Sequence, residues 1–429
     1  MNRAERPLHV LLLNQAFHPD VVATAQMGKD LADALVRRGH RVSAVASRSI
    51  YGQSGAVLPR RETIPVEGGG KMEVYRVGAS VFGKAGYAAR IADFALFYLL
   101  ALVKVLTLPR PDVVVCYTTP PFVALVGLLC RWLRGSRAIY WVMDLYPDLP
   151  VACGVMKPTA ISTRLFERLN RFLLRRSDVD VVLGRCMRDR VLAKGVHPER
   201  VTLIPVWADL AGITPLAHAE NPYRRTWAPG GEFVVMYSGN FGIGHDADTI
   251  LNAMRLLKDE PGLRFVFVGG GKRRVQVEAF IKEHGLTHAS WYDYQPREAL
   301  GQSLAAADVH LISLREGVEG IMVPSKLFGI MAAGRASVFV GHPTSEIARV
   351  LAEHNAGTTI REGDAAGLAD AIRRLKSDPA AAVAMGERAR AAVPGRFDRD
   401  TACVRWARLI EGAPAEPPTN PARTAEVQA

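Results

Sequence analysis

Apolar residues fall along this chain in short, nearly continuous runs separated by stretches of helical period, and the alternation occurs twice. Runs at residues 9–13, 41–46, 112–116, 138–141, 180–183 and 201–204 have the length of strands buried on both faces. A polar stretch rich in proline and glycine, residues 217–232, interrupts the pattern. It restarts with runs at 233–237, 263–268, 309–312 and 336–340, again separated by helical segments. Strands alternating with helices predict parallel sheets covered on both sides. The expected class is therefore α/β, with two Rossmann-like doubly wound domains over residues 1–216 and 217–397. A helix over 398–411 is placed to pack back on the first domain, and the tail 412–429, poor in large apolar residues and rich in proline, reads as disordered.

Ligands of open parallel sheets bind outside the carboxyl ends of the strands. The turns at 14–24, 117–122, 141–147, 238–245, 269–272 and 313–326 are thus expected to crowd one cleft, and they hold the unusual residues. Residues 319–341, EGIMVPSKLFGIMAAGRASVFVG, are the most informative. An acidic turn leads through Pro324 and Ser325 to Lys326 and Leu327, then to a helix of small residues and an apolar strand. Lys326 stands at the opening of that helix, where free backbone N–H groups favour anions, a place suited to a diphosphate. Taken alone, the stretch equally fits a solvated lysine in an ordinary α/β protein.

The chain has 429 residues, of which 49% are hydrophobic, enough for two cores. Its net charge of +12 calls for an anionic neighbour: a lipid surface, a nucleotide or a polyanion. The cysteines Cys116, Cys130, Cys153, Cys186 and Cys403 are odd in number and widely spaced, with no CxxC pair, and read as reduced structural thiols. The apolar run before Asn14 is too short for a secretory core and reads as a first strand, so a cytoplasmic protein is expected. Residues 94–103 are uncharged but bounded by Asp93 and Lys104, short of the roughly 20 apolar residues a spanning helix needs; a buried or interfacial helix fits better. Arg164, Arg168, Arg171 and Arg175 recur at helical spacing beside Leu165, Leu169 and Phe172, a basic face open to two readings: solvated stripe or contact with anionic lipid.

Seven segments in order, QAFHPDVVATAQ, RRGHRV, WVMDLYPD, LIPVWAD, YSGNFG, FVFVGGG and VPSKLFGIMAAG, resemble the family 4 glycosyltransferases of the GT-B fold, in particular the bacterial exopolysaccharide and O-antigen subgroup. The resemblance runs from about His9 to Glu411. It implies a retaining transferase in which the C-terminal domain holds a nucleoside-diphosphate sugar and the N-terminal domain holds the acceptor across a cleft. The implied partners are a UDP- or GDP-sugar, a lipid-linked or oligosaccharide acceptor, and an anionic membrane at the inner face of the plasma membrane, with no nucleic acid. The nucleotide sugar is a substrate, so no cofactor is implied; no DxD-type motif calls for a metal.

By the same resemblance, Lys326 neutralises the leaving diphosphate. The family's Arg and Lys after the first strand of the second domain are absent from the turn 238–246; His245 stands in the lysine's place, where an imidazolium or a neutral N–H donor would serve, or where it would only cap the next helix. Gly239, Asn240 and Gly244 would bring backbone to the phosphates. The family's two glutamates fall in register on Ile321 and Gly329. Glu319, two residues early, is the substitute sugar-binding carboxylate, with Glu316 behind it, and Gly329 leaves room for a close ligand or backbone. Gly270, Lys272, Tyr294 and Gln295 are the base or phosphate contacts. On the acceptor side, Asp144 would orient or deprotonate the acceptor hydroxyl or serve only to form the turn beside Pro147, Thr24 would contact the diphosphate, and His18 would touch the acceptor or be a satisfied loop histidine. A catalytically degenerate nucleotide-binding scaffold and a sugar-nucleotide epimerase remain as other readings. The glycines 269–271 lack the spacing of a dinucleotide fingerprint, which removes the dehydrogenases.

Overall fold

The computed structural model describes residues 6–50, 57–79 and 87–413. They divide into two compact units: 6–151, 156–204 and 402–413 form the first, 152–155 and 205–401 the second. The first contains β1 (His9–Leu13), β2 (Arg41–Ser47), β3 (Arg61–Pro65), β4 (Lys71–Val77), β5 (Val113–Cys116), β6 (Arg137–Trp141), β7 (Val179–Val182) and β8 (Val201–Leu203). Their order in the sheet is β3-β4-β2-β1-β5-β6-β7-β8, parallel throughout except for β3. The second contains β9 (Phe233–Ser238), β10 (Leu263–Val268), β11 (Ala289–Tyr292), β12 (Val309–Ser313), β13 (Ala336–Val340) and β14 (Gly357–Ile360), ordered β11-β10-β9-β12-β13-β14 and all parallel.

Each sheet reverses its order once, between β1 and β5 and between β9 and β12. Crossovers leave in opposite directions there, so a crevice opens at the carboxyl ends of those strands. The strands flanking each crevice are buried along their whole length, as their unbroken apolar runs require. Strands outside the sequence expectation are the ones with mixed exposure: the β3/β4 hairpin and the edges β11 and β14. An edge strand has one half-wet face, so its residues need not be apolar.

The passage between units also differs from expectation. The chain leaves the first unit at Ile204, before the proline- and glycine-rich stretch, and that stretch is folded within the second unit. Asn221 caps the helix Pro222–Trp227 by accepting the N–H groups of Tyr223 and Arg224. Arg224 lies 2.6 Å from Asp308, and Trp227 stacks on Tyr292 at 5.0 Å between centroids. At the far end the helix Arg399–Glu411 returns to the first unit from Ala402 onward. Trp406, fully buried, sits 4.3 Å from the ring of Trp141, and Glu411 lies 2.9 Å from Arg38 and 3.0 Å from His40. Most of the tail reading falls outside the described residues. All five cysteines are free.

Candidate active site

In the second unit, the turns after β9 and β10 interlock. The Gly239 N–H donates to the Val268 carbonyl at 2.8 Å, the Phe241 N–H to Gly270 at 2.7 Å, and the Arg273 N–H returns to Phe241 at 3.0 Å. Two glycines make this approach possible. A Cβ on Gly269 would lie 2.5 Å from the Gly239 oxygen, one on Gly271 2.5 Å from the Phe241 oxygen, and both have φ of 123°. The glycine cluster is therefore first a packing device, which brings a ring of backbone to the β9/β12 crevice.

Lys326 opens the helix Lys326–Ala332 and reaches back over the end of β9. Its stem is half-buried, but Nζ has no solvent contact and no hydrogen-bond partner among the described residues. The ammonium lies 3.5 Å from the ring centroid of the buried Tyr237, whose hydroxyl donates to the Asn240 carbonyl at 3.3 Å. Loss of water pushes its pKa well below that of an ordinary lysine. The aromatic face compensates only in part, since a cation over a ring is worth about 2 kcal/mol when desolvated and an unpaired buried charge costs more.

His245 is held differently from either role expected of it. Its Nδ1 is 2.5 Å from the Ser313 carbonyl, which can only accept, so the ring proton sits on Nδ1 and Nε2 is a bare acceptor. Burial, then the neighbouring Lys326, lower its pKa to about 3. An imidazolium or an Nε2–H donor is thus not the resting state. Nor does it cap the following helix: Asp246 Oδ1 accepts from the N–H groups of Asp248 and Thr249 at 3.2 and 3.5 Å.

Two cations escaped the sequence reading. Arg273, one residue beyond Lys272, bears on the His245 ring electrostatically, donates to Gln276 at 2.8 Å, and keeps a buried Nε without a partner. The Arg315 N–H donates to the Gly244 carbonyl at 3.0 Å, which fixes this arginine at the same turn. The signal for Arg273 was the Lys-Arg-Arg run after the glycines; nothing local marked Arg315. Lys272 itself is exposed. Tyr294 covers the turn, its ring 3.2 Å from where a Gly270 Cβ would stand, and Gln295 donates to the Asp293 carbonyl at 2.8 Å.

The acidic turn is arranged unlike the expectation. Both Glu319 oxygens are 3.0 Å from the Gly317 N–H, folding the carboxylate onto its own loop. The Glu316 carboxylate lies 3.7 Å from Arg361. At Gly329 a Cβ would meet Leu304 at 3.4 Å and Ile213 at 3.9 Å, so the position faces apolar packing, not space kept for a ligand. Leu327 is fully buried and serves the core with its side chain, while Pro324 and Ser325 form the turn before it; Ser325 makes no side-chain cap.

In the first unit, the Asp144 N–H donates to Thr118 Oγ1 at 3.2 Å, just beyond β6. The residue is half-buried, and this burial raises the pKa of its carboxyl to about 6. No carboxylate partner occurs among the described residues. His18 is anchored through its carbonyl, which accepts from Arg76 at 2.6 Å; Arg76 is buried and also 2.6 Å from Glu62. Burial, followed by Lys29, lowers the His18 pKa. Thr24, half-buried, lies in the first turn of the helix Ala23–Arg37. Among the described residues no cluster of three or more His, Cys, Asp or Glu could hold a metal ion, and no helix is long and apolar enough to cross a membrane.

Residues 24–207 match the family described as glycosyl transferase 4-like domain, and 222–392 that described as glycosyl transferases group 1. A probable glycosyltransferase of Pseudomonas aeruginosa, WbjE, is 30% identical over 62% of this chain and 66% of its own length. The putative colanic acid biosynthesis glycosyl transferase WcaI of Escherichia coli is 24% identical over 80% of this chain and 86% of its own. Among solved structures, Anabaena HepE, determined in complex with UDP-glucose, superposes with a TM-score of 0.70 at 14% identity, covering 94% of this chain and 99% of its own. Both halves are matched in order, and each has the parallel-sheet architecture of the GT-B fold. The chain belongs to the family 4 glycosyltransferases, transferase enzymes of the GT-B fold.

Proposed function

We propose that this enzyme is a retaining transferase that moves a sugar from a UDP- or GDP-sugar to a lipid-linked glycan in polysaccharide biosynthesis, working as a peripheral protein at the cytoplasmic face of the membrane. One observation supports the donor reading above all others: Lys326 Nζ is buried at a sheet switch point with no counter-ion among the described residues, an arrangement that an arriving diphosphate would relieve. The relative named for colanic acid biosynthesis favours a polysaccharide product. The UDP-glucose complex of the Anabaena neighbour favours a UDP-sugar.

During transfer the bond from C1 to the diphosphate oxygen breaks and its electron pair leaves on phosphate. The acceptor oxygen bonds to C1 on the same face, and the acceptor hydroxyl proton passes to the departing phosphate. Lys326 neutralises the charge that develops there, with Arg273 and Arg315 adding positive potential. The backbone of Gly239, Asn240 and Gly244 approaches the phosphates. Gly270, Lys272, Tyr294 and Gln295 hold the base, and Nε2 of His245 accepts from a sugar hydroxyl. Asp144 orients the acceptor hydroxyl, and His18 and Thr24 border it.

The test incubates the purified protein with labelled nucleotide sugars and a membrane extract and follows label into lipid. Transfer from one donor is expected; nucleotide binding without consumption of any donor would favour the second reading, a non-catalytic scaffold. That reading draws on Glu319 folded onto Gly317 and on Gly329 facing Leu304.

A further inference from the structure

Nine of the seventeen large apolar side chains exposed among the described residues lie on three helices of the first unit, Tyr87–Thr107, Ala124–Arg134 and Ile161–Arg176. On the first, Leu99, Val103 and Leu106 recur at helical spacing and share one outward face, with Phe97, Ala101 and Val105 buried opposite. The second exposes Trp132 and Leu133, the latter 66% accessible. On the third, Ile161, Leu165 and Phe172 stand outward while Asn170, Leu173 and Leu174 face the sheet.

These faces form one surface. The Trp132 and Phe172 rings are 6.0 Å apart, joining the second helix to the third. Arg134 donates to the carbonyls of Val105 and Leu108, joining the second to the first. Scattered exposed leucines need no explanation, but a contiguous apolar facet rimmed by charge marks an interaction site.

The rim is basic, and the arginines on it are not equivalent. Arg171 pairs with Glu167 at 2.6 Å, and Arg175 donates to the Lys194 carbonyl. Glu167, the one acid of its helix, is also 2.7 Å from Lys194. Arg164 and Arg168 are exposed and have no side-chain partner among the described residues; they sit beside Ile161, Leu165 and Phe172. Free guanidinium groups flanking outward Leu, Phe and Trp, with Glu167 already paired to Arg171 and Lys194, fit a surface that is apolar below and anionic at its boundary.

The geometry points to a bilayer-docking face on the first unit, in which Leu99, Trp132, Leu133 and Leu165 enter the acyl boundary of an anionic membrane and Arg164 and Arg168 engage lipid phosphates. It deepens the proposed transfer to a lipid-linked acceptor and rests on that reading for its purpose. A second copy of this chain would match the apolar facet but would set the same free arginines against each other.

The test floats the full-length protein with vesicles of phosphatidylcholine and phosphatidylglycerol (3:1) and with phosphatidylcholine alone. Binding to the anionic vesicles, much weaker on the neutral ones, is expected. Arg164→Glu with Arg168→Glu should lower partition at least about tenfold. Leu133→Ser with Leu165→Ser, both at exposed positions that leave the core intact, should lower it about as much without lost charge. Equal flotation of wild type and the leucine pair, or no flotation of wild type, overturns the proposal. So does a wild-type dimer in light scattering that the leucine pair dissociates while vesicle binding is absent. Donor consumption measured in parallel separates the two ideas: an active protein that does not float sinks the docking face alone, whereas a floating protein that consumes no donor sinks the transfer alone.

Discussion

Lys326 in the second unit, whose Nζ is fully buried, and Asp144 in the first, which is half-buried, both lack a charged partner among the described residues, and burial moves them in opposite directions. Lys326 is driven toward the neutral amine, and Asp144 toward the neutral acid, to about 6. The consequences for ligands differ. On the proposed function, a diphosphate arriving beside the lysine would bring two or more negative charges and raise its lowered pKa. A sugar hydroxyl brings no charge to the aspartate, which titrates near neutrality by itself. On that function the first group would respond to its ligand and the second to pH.

The sharpest way to break this comparison is Lys326→Ala, expected to lower kcat by about 10²- to 10³-fold, as loss of one preorganised electrostatic group does. Unchanged steady-state turnover would remove Lys326 from the reaction. Asp144→Asn is expected to cost about 10- to 100-fold in kcat/KM, the range for a hydrogen bond to a charged group. The wild-type rate should rise with pH through about 6, as the carboxylate forms, and the variant should lose that limb. A persistent limb would assign it to another group.

Calorimetry of nucleoside diphosphate binding in buffers of different ionisation enthalpy should show net proton uptake, up to about one proton per site. The sign follows from the shift: the free-state pKa of Lys326 lies low and the bound-state pKa higher, so between them binding takes up protons and weakens as pH rises. Absence of uptake would mean that the amine is already charged in the free protein. The smallest effect is on stability. The unfolded chain binds more protons than the folded one between the lowered pKa of Lys326 and the unfolded value, so folding stability rises with pH in that window. Lys326→Met should flatten the rise and raise Tm by roughly 2–4 °C for each kcal/mol gained in a unit of this size. A lower Tm would show that the stack on Tyr237 more than offsets the buried charge.

What could be read along the chain followed from how local each feature is. Strands buried on both faces announce themselves as apolar runs, which is why the strands flanking the two crevices were legible, and with them the place of Lys326 at the opening of its helix. The hairpin β3/β4 and the edges β11 and β14 were not, because half-wet strands do not need apolar residues. Arg315 was invisible for another reason: what fixes it at this turn is the bond from its backbone N–H to the carbonyl of Gly244, far away in sequence. His245 was seen, but its tautomer depends on the Ser313 carbonyl.

Hydrophobic period and ordered motifs by themselves determined the two doubly wound sheets, the family, and the turn that carries Lys326, because burial on both faces and a tight βα turn constrain composition locally. Only the tertiary structure decided that Lys326 has no counter-ion among the described residues, that His245 is a neutral acceptor, that Glu319 folds onto its own loop, and that Gly329 faces Leu304 and Ile213. Each of those depends on which groups a fold brings within a few ångströms, and on how much water it removes from them.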